Sequence, residues 1–193
     1  MELTYKITFL SDWHSGSGLS GGAEADATVI KDDRNLPYIA GKTIKGLLKE
    51  ALEEIHEVKL NAKDRTYINE LLGYEIKDEK TQKVIETKSG IAFFSNATLS
   101  KDERDDIIPT LSDFLYRNIA STQIKANGTA KESSLRVMEV CIPITLEGKI
   151  TRIASKEQID LLTKALKWVR HLGVNRNRGL GRCKFVEITP KSN

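Results

Sequence analysis

A loop rich in glycine and arginine, residues 173–185 with the sequence GVNRNRGLGRCKF, has the clearest potential for chemistry. Glycine permits close backbone approach, and the arginine guanidinium is a planar fork of donors that suits phosphate. The residues of these two types are Gly173, Gly179, Gly181, Arg176, Arg178 and Arg182. The loop lacks the G-x-x-x-x-G-K-[ST] and strand–G-x-G-x-x-G–helix patterns of nucleotide-binding enzymes, and it does not fit the RNP1 register. It therefore indicates either a plain turn or a site for a sugar-phosphate backbone.

The charge distribution favours the second reading. The net charge of the 193 residues is only +3, but residues 161–186 contain no Asp or Glu. The basic residues of this stretch are Lys164, Lys167, Arg170, Arg176, Arg178, Arg182 and Lys184. A stretch of one sign predicts a polyanionic partner.

A second basic feature opens the first helix. The run GKTIKGLLKEALEEI, residues 41–55, has helical apolar spacing, and Lys42 and Lys45 lie in its first turns. Cations there oppose the helix dipole unless an anion shares the site, because free N–H groups at a helix N-terminus bind phosphate. We therefore expect Lys42 and Lys45 to contact an anion.

Histidine and cysteine do not form a convincing zinc set, because three His and two Cys are scattered along the chain. Cys141 and Cys183 are interpreted as buried free thiols in a reducing cytosol. Trp13 is interpreted as a packing residue at a strand end. His171 fits a helix end as well as a phosphate contact.

The surrounding elements alternate between strand and helix patterns. Strands are expected at 3–9, 91–99, 138–144 and 183–188, with Pro143 placing the third at a sheet edge or bulge. Helices are expected at 41–55, 64–72, 109–120 and 155–169; Ser155 and Gln158 form a capping box, and Gly173 is a plausible stop. Residues 74–90 are expected to be a loop or hairpin, and 101–106 a solvated charged run.

This order predicts an α+β protein with a ferredoxin-like βαββαβ core, the fold of RNA-recognition modules. Length and composition fit one domain over residues 1–193. The core is expected at about 1–57, 91–99 and 133–188, with insertions at about 60–90 and 100–132. No apolar run reaches the roughly 18 residues of a membrane helix, and MELTYKITFL does not resemble a signal peptide. We therefore expect a cytoplasmic protein.

Three ordered motifs then suggest a family. W-H-S-G-S-G (13–18), A-D-A-T-V-I-K-D (25–32) and L-P-Y-I-A-G-K-T-I-K-G-L-L-K (36–49) resemble the opening of the backbone subunits of type III CRISPR effector complexes. T-Q-I (122–124) and G-T-A-K-E-S-S-L-R-V-M-E-V (128–140) resemble their thumb hairpin, and the loop at 173–185 resembles the glycine-rich loop of the RAMP superfamily. The resemblance spans residues of about 5 to 188.

This resemblance implies a subunit that stacks with other RAMP subunits and a large subunit along guide RNA, while thumbs wedge into the guide–target duplex. Because such a protein grips the guide through its backbone, base pairing with the target RNA supplies the specificity. The RNA-binding residues carried over by the resemblance are His14, Lys42, Lys45, Gly173, Arg176, Arg178, Gly179, Gly181 and Arg182.

The resemblance also implies a catalytic role for Asp26. Its position matches the loop aspartate with which target-cleaving members cut RNA, using a divalent metal such as Mg²⁺ or Mn²⁺ bound at Asp26. Ala25 stands where glycine is common, and Glu24 adds a second carboxylate, so the loop departs from the pattern. A non-catalytic RNA-binding subunit, or a metal-independent guide-processing nuclease with His14 as its base, are the alternatives.

Overall fold

The computed structural model describes residues 1–18, 21–22, 25–59, 62–78, 81–107 and 109–191. Within these ranges the elements are β1 (Glu2–Phe9), α1 (Gly41–Lys59), α2 (Ala62–Leu72), β2 (Gly73–Lys77), β3 (Val84–Ser89), β4 (Phe93–Phe94), α3 (Lys101–Asp106), α4 (Pro109–Ser112), β5 (Tyr116–Ser121), β6 (Arg136–Cys141), β7 (Thr145–Thr151), α5 (Lys156–Trp168) and β8 (Cys183–Lys191). Short 3₁₀ turns lie at Asp113–Leu115 and Arg176–Arg178.

A four-stranded sheet in the order β4-β7-β1-β8 forms the centre of the molecule, and all its neighbouring strands are antiparallel. The period-two pattern of β1 explains its place, because Leu3, Tyr5, Ile7 and Phe9 are all buried. The chain passes through α1 between β1 and β4, and through α5 between β7 and β8. The protein is thus a mixed α/β structure with antiparallel sheets.

Helices α1 and α5 pack on one another and close the core. Ile44, Leu48 and Leu52 of α1 are fully buried, as its apolar spacing predicts. The Ser155 hydroxyl accepts a hydrogen bond from the Gln158 N–H, which confirms the predicted cap of α5. The Gln158 side chain, however, accepts from the Ala154 N–H rather than completing the box at Ser155.

The predicted stop of α5 at Gly173 is wrong. The helix ends at Trp168, because Val169 is extended (φ −62°, ψ 129°) and its side chain is buried. Beyond Trp168 the chain leaves the helix axis, and His171 pairs with Arg182. Gly173 therefore belongs to the following loop and not to the helix cap.

The predicted helix at 109–120 is also mostly wrong. Only Pro109–Ser112 is α-helical, and Tyr116–Ser121 forms β5, which pairs with β6 from Tyr116 opposite Cys141 to Ser121 opposite Arg136. Pairing with a distant strand outweighs the weak local preference of this segment. The Tyr116 hydroxyl fixes β5 further by donating to the Asn35 carbonyl at 2.7 Å.

The strand predicted at 138–144 is interrupted. Strand β6 ends at Cys141, and β7 begins at Thr145 after Pro143, which has no N–H to continue a ladder. In the described residues β6 pairs with β5 in a two-stranded ribbon, while β7 joins the central sheet. The segment predicted as one core strand therefore serves two sheets.

Three smaller differences concern the middle of the chain. The strand predicted at 91–99 shrinks to Phe93–Phe94, and beyond it the segment makes only single bridges, Ala97 with Ile39 and Thr98 with Glu147. Residues 101–106, expected as a solvated charged run, form helix α3, which has no buried residue and begins with a capping box between Ser100 and Glu103. The β2–β3 hairpin occupies most of residues 74–90, for which the sequence predicted either a loop or a hairpin.

No helix in the described part of the chain combines the length and apolar character needed to cross a membrane.

Candidate nucleic-acid interface

The glycine-rich loop is closed at its base by backbone hydrogen bonds. The Leu172 N–H donates to the Gly181 carbonyl at 2.9 Å, and the Gly181 N–H donates to the Asp12 carbonyl at 2.7 Å. Further along, the Val174 N–H donates to the His14 carbonyl at 3.1 Å. These bonds tie both ends of the loop to the segment that follows β1, so the residues between them are held on a fixed frame.

Two of the predicted glycines are needed for this frame. Gly173 and Gly181 have φ values of +97° and +69°, and a Cβ at either would overlap a backbone carbonyl, that of His14 or Leu172 respectively. Gly179 differs, because no atom outside its chain neighbours lies within 4 Å of the position of a Cβ. The sequence suggested that these glycines let the loop backbone come close to RNA. At Gly173 and Gly181, however, the loop comes close to this chain's own backbone.

The loop arginines occupy two places. Arg176 and Arg178, both exposed, form a 3₁₀ turn after the left-handed Asn175 and line a cavity of about 1100 Å³ against α1. One Arg176 Nη lies 3.5 Å from a carboxylate oxygen of Glu50. Arg182 is exposed at the base of the loop, outside the residues that line the cavity. Three exposed arginines thus lie on one short loop, as the sequence predicts. Arg176 and Arg178 border the cavity, and Arg182 does not.

His14 is buried rather than displayed. Its side chain is only 3% exposed, and its Nδ1 lies 2.7 Å from the Glu139 carbonyl of β6. A carbonyl oxygen only accepts, so Nδ1 carries the proton and donates. The backbone carbonyl of His14 accepts a hydrogen bond from the Val174 N–H, so His14 connects β6 to the glycine-rich loop. The ring is thus buried beside the loop, and the RNA contact of His14 stays a prediction.

Glu139 is the junction that organises the loop bearing Asp26. Its carboxylate accepts from the Val29 N–H at 2.9 Å and from the Lys31 ammonium at 2.8 Å. Its backbone N–H donates to the Ala27 carbonyl at 3.0 Å. Sequence reasoning missed this residue, because a single acid in a strand pattern carries no sign of such long-range partners.

Asp26 is exposed and lies beside Val137, near the Arg136 end of strand β6. Its N–H donates to the Val137 carbonyl at 2.8 Å, and its Oδ2 accepts from the Val137 N–H at 2.7 Å. Within the described residues, no group of three or more His, Cys, Asp or Glu side chains is placed to hold a metal ion. Glu24, the second predicted carboxylate, lies outside the described residues. Asp26 is therefore a carboxylate anchored on β6 by its hydrogen bonds to Val137.

Strand β6 brings these parts together. Met138, next to Val137, pairs with Ala27 on one side, and its sulfur lies 3.9 Å from the Asn175 Nδ2 on the other. The Asp26 segment, His14 and the glycine-rich loop thus all contact one strand of the ribbon. The glycine-rich loop lies more than 140 residues beyond His14 and Asp26 in the sequence, so only the fold reveals the arrangement.

Lys42 and Lys45 lie apart from this arrangement. In the first turns of α1, the Gly41 N–H donates to the Asn96 side chain at 3.0 Å, and the Thr43 and Ile44 N–H groups donate to the Ala40 carbonyl. The donors expected to bind a phosphate are thus largely used by the protein. Neither lysine lines the cavity that Arg176 and Arg178 share with α1.

An ion pair at the other end of the ribbon was also missed by sequence reasoning. Arg117 of β5 binds the Asp12 carboxylate, with Nε donating to Oδ2 at 2.7 Å and an Nη donating to the same oxygen. Asp12 is only 7% exposed, and its Oδ1 is buried without a hydrogen-bond partner among the described residues. The pair fastens β5 to the segment that also holds the glycine-rich loop.

The interpretation of Trp13 as a packing residue and of the two cysteines as buried free thiols is confirmed. Trp13 is fully buried, stacks on Phe9 with ring centroids 4.4 Å apart, and donates from Nε1 to the Ile142 carbonyl. Cys141 and Cys183 are buried free thiols. Burial raises the pKa of Cys183 to about 12 and also raises the pKa of Cys141.

Trp168 also lines the cavity, and sequence reasoning passed over it. The buried residues of α5 follow a stripe through Ile159, Leu162, Ala165 and Leu166, and position 168 falls outside it. The sequence did carry a signal for Trp168, because a large aromatic residue there lies off the apolar stripe of its helix. Trp168 is half exposed.

The comparisons with known proteins give a family from one family model and a fold from solved structures. A family model described as the RAMP superfamily matches residues 6–184. A cryo-EM structure of Type III-B Cmr-beta bound to cognate target RNA contains a similar chain, with 12% identity, 96% of each chain covered and a TM-score of 0.71. The apo state of Type III-B Cmr-beta gives 13% identity, 96% coverage of each chain and 0.68. A Type IV-B CRISPR complex gives 14% identity, 100% of this chain and 92% of the other covered, and 0.67. No curated protein sequence matches.

Proposed function

The chain belongs to the RAMP superfamily, and we propose that it is a guide-RNA-binding subunit of a CRISPR effector complex of the type III kind. Its partners are then guide RNA, target RNA, other RAMP subunits and a large subunit, in the cytoplasm. In this proposal the four-stranded sheet with α1 and α5 is a ferredoxin-like core, and the β5–β6 ribbon is the thumb hairpin. The strand order and the antiparallel pairing support that interpretation of the core.

One observation carries the proposal: the glycine-rich loop is pinned at its base and displays Arg176, Arg178 and Arg182 to solvent. Because the backbone of the loop is already fixed, binding phosphate costs little further backbone entropy, so the loop is prepared for an extended anion. Such contacts position a nucleic-acid strand without selecting its sequence. That property suits a subunit whose specificity comes from base pairing.

RNA binding is tested with the purified full-length chain and a single-stranded RNA at several salt concentrations. We expect replacement of Arg176, Arg178 and Arg182 by alanine to weaken binding strongly and to flatten its dependence on salt. A matched control replaces Lys77, Lys83 and Lys88, exposed cations of the β2–β3 hairpin, and changes the net charge equally. Equal losses in both variants would mean that the loop is not the binding site.

We further propose that Asp26 serves target-RNA cleavage with Mg²⁺ or Mn²⁺. Magnesium is commonly bound by one or two carboxylates together with substrate phosphates, so a single carboxylate fits a metal that arrives with RNA. When bound, the ion supplies charge stabilisation at the scissile phosphate. Asp26 supplies one ligand at a defined position, since the Val137 N–H fixes its Oδ2.

The cleavage proposal is tested in the complete complex, purified through a tag on this chain. Asp26→Asn keeps an oxygen that can accept the Val137 hydrogen bond but removes the charge, so target binding should persist while cutting stops. Asp33→Asn, which changes an exposed acid nearby, is the control and should cut normally. Unchanged cutting by the Asp26 variant would assign the chain to a non-catalytic RNA-binding role.

That non-catalytic role is the second candidate, and the isolation of Asp26 from other metal ligands within the described residues favours it. A metal-independent processing nuclease is less well supported. It requires an accessible histidine, whereas His14 is buried with Nδ1 engaged by Glu139. Cleavage of repeat RNA by the isolated chain in EDTA would reverse this order.

A further inference from the structure

The cavity between α1 and the glycine-rich loop contains a feature that phosphate binding does not require. It has a volume of about 1100 Å³ and is bordered by helix α1, the end of α5 and the loop. Besides Arg176 and Arg178, its walls include the indole of Trp168 and the side chain of Val174. Trp168 is 50% exposed and Val174 is 44% exposed, so apolar surface faces solvent beside the arginines.

The indole of Trp168 is held in place rather than free to rotate. Its Nε1 donates to a carboxylate oxygen of Glu54 at 2.7 Å, which links the end of α5 to α1. The residue contributes little to the core, because the buried stripe of α5 passes through Leu161, Leu162 and Leu166. A fixed and half-exposed aromatic ring is suited to stacking with a planar ligand.

The charges around the ring favour an anionic ligand. The cavity walls carry three arginines, Arg170, Arg176 and Arg178, against the two carboxylates Glu50 and Glu54. Glu54 is engaged by the indole, and Glu50 lies 3.5 Å from Arg176 in a pair whose side chains are both about half exposed. Exposed pairs contribute little stability, so a phosphate can replace Glu50 as the partner of Arg176.

We propose that Trp168 is a stacking platform for one nucleobase of the bound RNA, while Arg176 and Arg178 hold the adjacent phosphates. This inference rests on the proposed function and adds a base contact to a site otherwise described by backbone contacts. Every base has a flat face, so stacking does not select sequence and agrees with a sequence-tolerant subunit. The combination of an aromatic ring with arginines favours a nucleotide over an apolar segment of a neighbouring subunit.

The test compares two probes of equal charge, a single-stranded oligouridylate and an abasic ribose-phosphate strand of the same length. Base–aromatic stacking typically contributes a factor of roughly five to a hundred in affinity, so the oligouridylate should bind more tightly by about that factor. Trp168→Ala should remove the difference, and Trp168→Phe should retain part of it. Urea unfolding of each variant confirms that the fold is intact.

Intrinsic fluorescence gives a second readout, because the only other tryptophan, Trp13, is fully buried. We expect oligouridylate to quench the emission of Trp168, the abasic strand to leave it nearly unchanged, and Trp168→Phe to abolish the quenching. If both probes bind equally and neither quenches the emission, the stacking role is wrong while RNA binding stands. If neither probe binds, the proposed function itself fails. Quenching only on addition of another subunit would assign Trp168 to a protein interface and overturn the inference.

Discussion

At the scale of single residues, the glycines of the loop divide into two kinds. Gly181 combines φ +69° with a Cβ position inside the Leu172 carbonyl, whereas Gly179 has φ +85° and open space around it. We expect Gly181→Ala to reduce the free energy of unfolding by more than about 3 kcal/mol, because backbone must move. Gly179→Ala should cost about 1 kcal/mol, the penalty of a left-handed alanine. Urea unfolding of both variants measures the difference, and similar losses would contradict the pinned frame.

The raised pKa values of the two buried thiols predict how stability and thiol reactivity depend on pH. Burial raises the pKa of Cys183 from 9.0 to about 12, so the native thiol stays protonated where an unfolded thiol ionises. The raised pKa contributes stability that is fully present below about pH 9 and is lost as the pH rises toward 12. Ellman's reagent should therefore react slowly with the native chain at pH 8 and quickly in urea. Fast reaction of native Cys183 or Cys141 would show that the loop and ribbon open readily.

His14 shows why single residues are hard to assign from sequence. The resemblance placed His14 and the loop at 173–185 in one RNA-binding set, but the W-H-S-G-S-G motif did not reveal that the ring is buried. Burial against β6 depends on the Glu139 carbonyl, 125 residues away. A motif thus predicts which segments meet, whereas the side chains that touch a ligand follow from tertiary packing.

At the scale of elements, the β5–β6 ribbon is attached to the rest of the molecule by charged residues. Arg117 binds the buried Asp12, and Lys31 binds Glu139 while its ammonium lies 3.8 Å from the centroid of the Tyr116 ring. Both links hold the ribbon against the segments that carry Asp26 and the glycine-rich loop. The position of the ribbon therefore depends on two separate electrostatic contacts.

Removing Arg117 tests this attachment. Arg117→Met leaves the Asp12 carboxylate buried without its donors, and we expect a loss of about 1–3 kcal/mol in the free energy of unfolding. Hydrogen exchange at Val137 to Cys141 should accelerate, because the ribbon loosens. Asp12→Asn in the same chain should restore part of the loss, since it removes the buried charge.

The control for this variant is Glu50→Gln, which removes the exposed pair with Arg176 and should change stability by less than about 0.5 kcal/mol. If Arg117→Met were equally neutral, the ion pair would have no part in holding the ribbon.

The elements themselves were predictable where their pattern is local. Helices α1 and α5 and strands β1 and β8 follow apolar periodicity or end signals that lie within a few residues. Strand β5 was missed, because its partner β6 starts at Arg136 and no residue near Tyr116–Ser121 indicates that pairing. Similarly, Phe93–Phe94 is cut short by Asn96 capping α1, a contact between segments 55 residues apart.

At the scale of the whole molecule, the order of the motifs carried more information than any one of them. Three segments in the order of the family predicted the RAMP superfamily, which the match over residues 6–184 confirms. The fold is shared with solved chains at only 12% to 14% identity, so the core depends on apolar patterning more than on particular residues. The charged contacts at the ribbon and in the loop were not predictable in this way, because they join residues from both ends of the chain.

The whole-molecule arrangement also predicts how the chain meets a divalent metal. Among the described residues no group of three or more His, Cys, Asp or Glu side chains is placed to hold a metal ion, so we expect the isolated chain to bind Mg²⁺ only weakly. A ligand stabilises the native state by RT ln(1 + [L]/Kd), so weakly bound Mg²⁺ at the concentrations used for cleavage should leave the melting temperature nearly unchanged. Thermal unfolding of the wild type and of Asp26→Asn should give the same small response. A rise in melting temperature that Asp26→Asn abolishes would reveal a resident metal site, and the proposal that RNA completes the coordination would then be wrong.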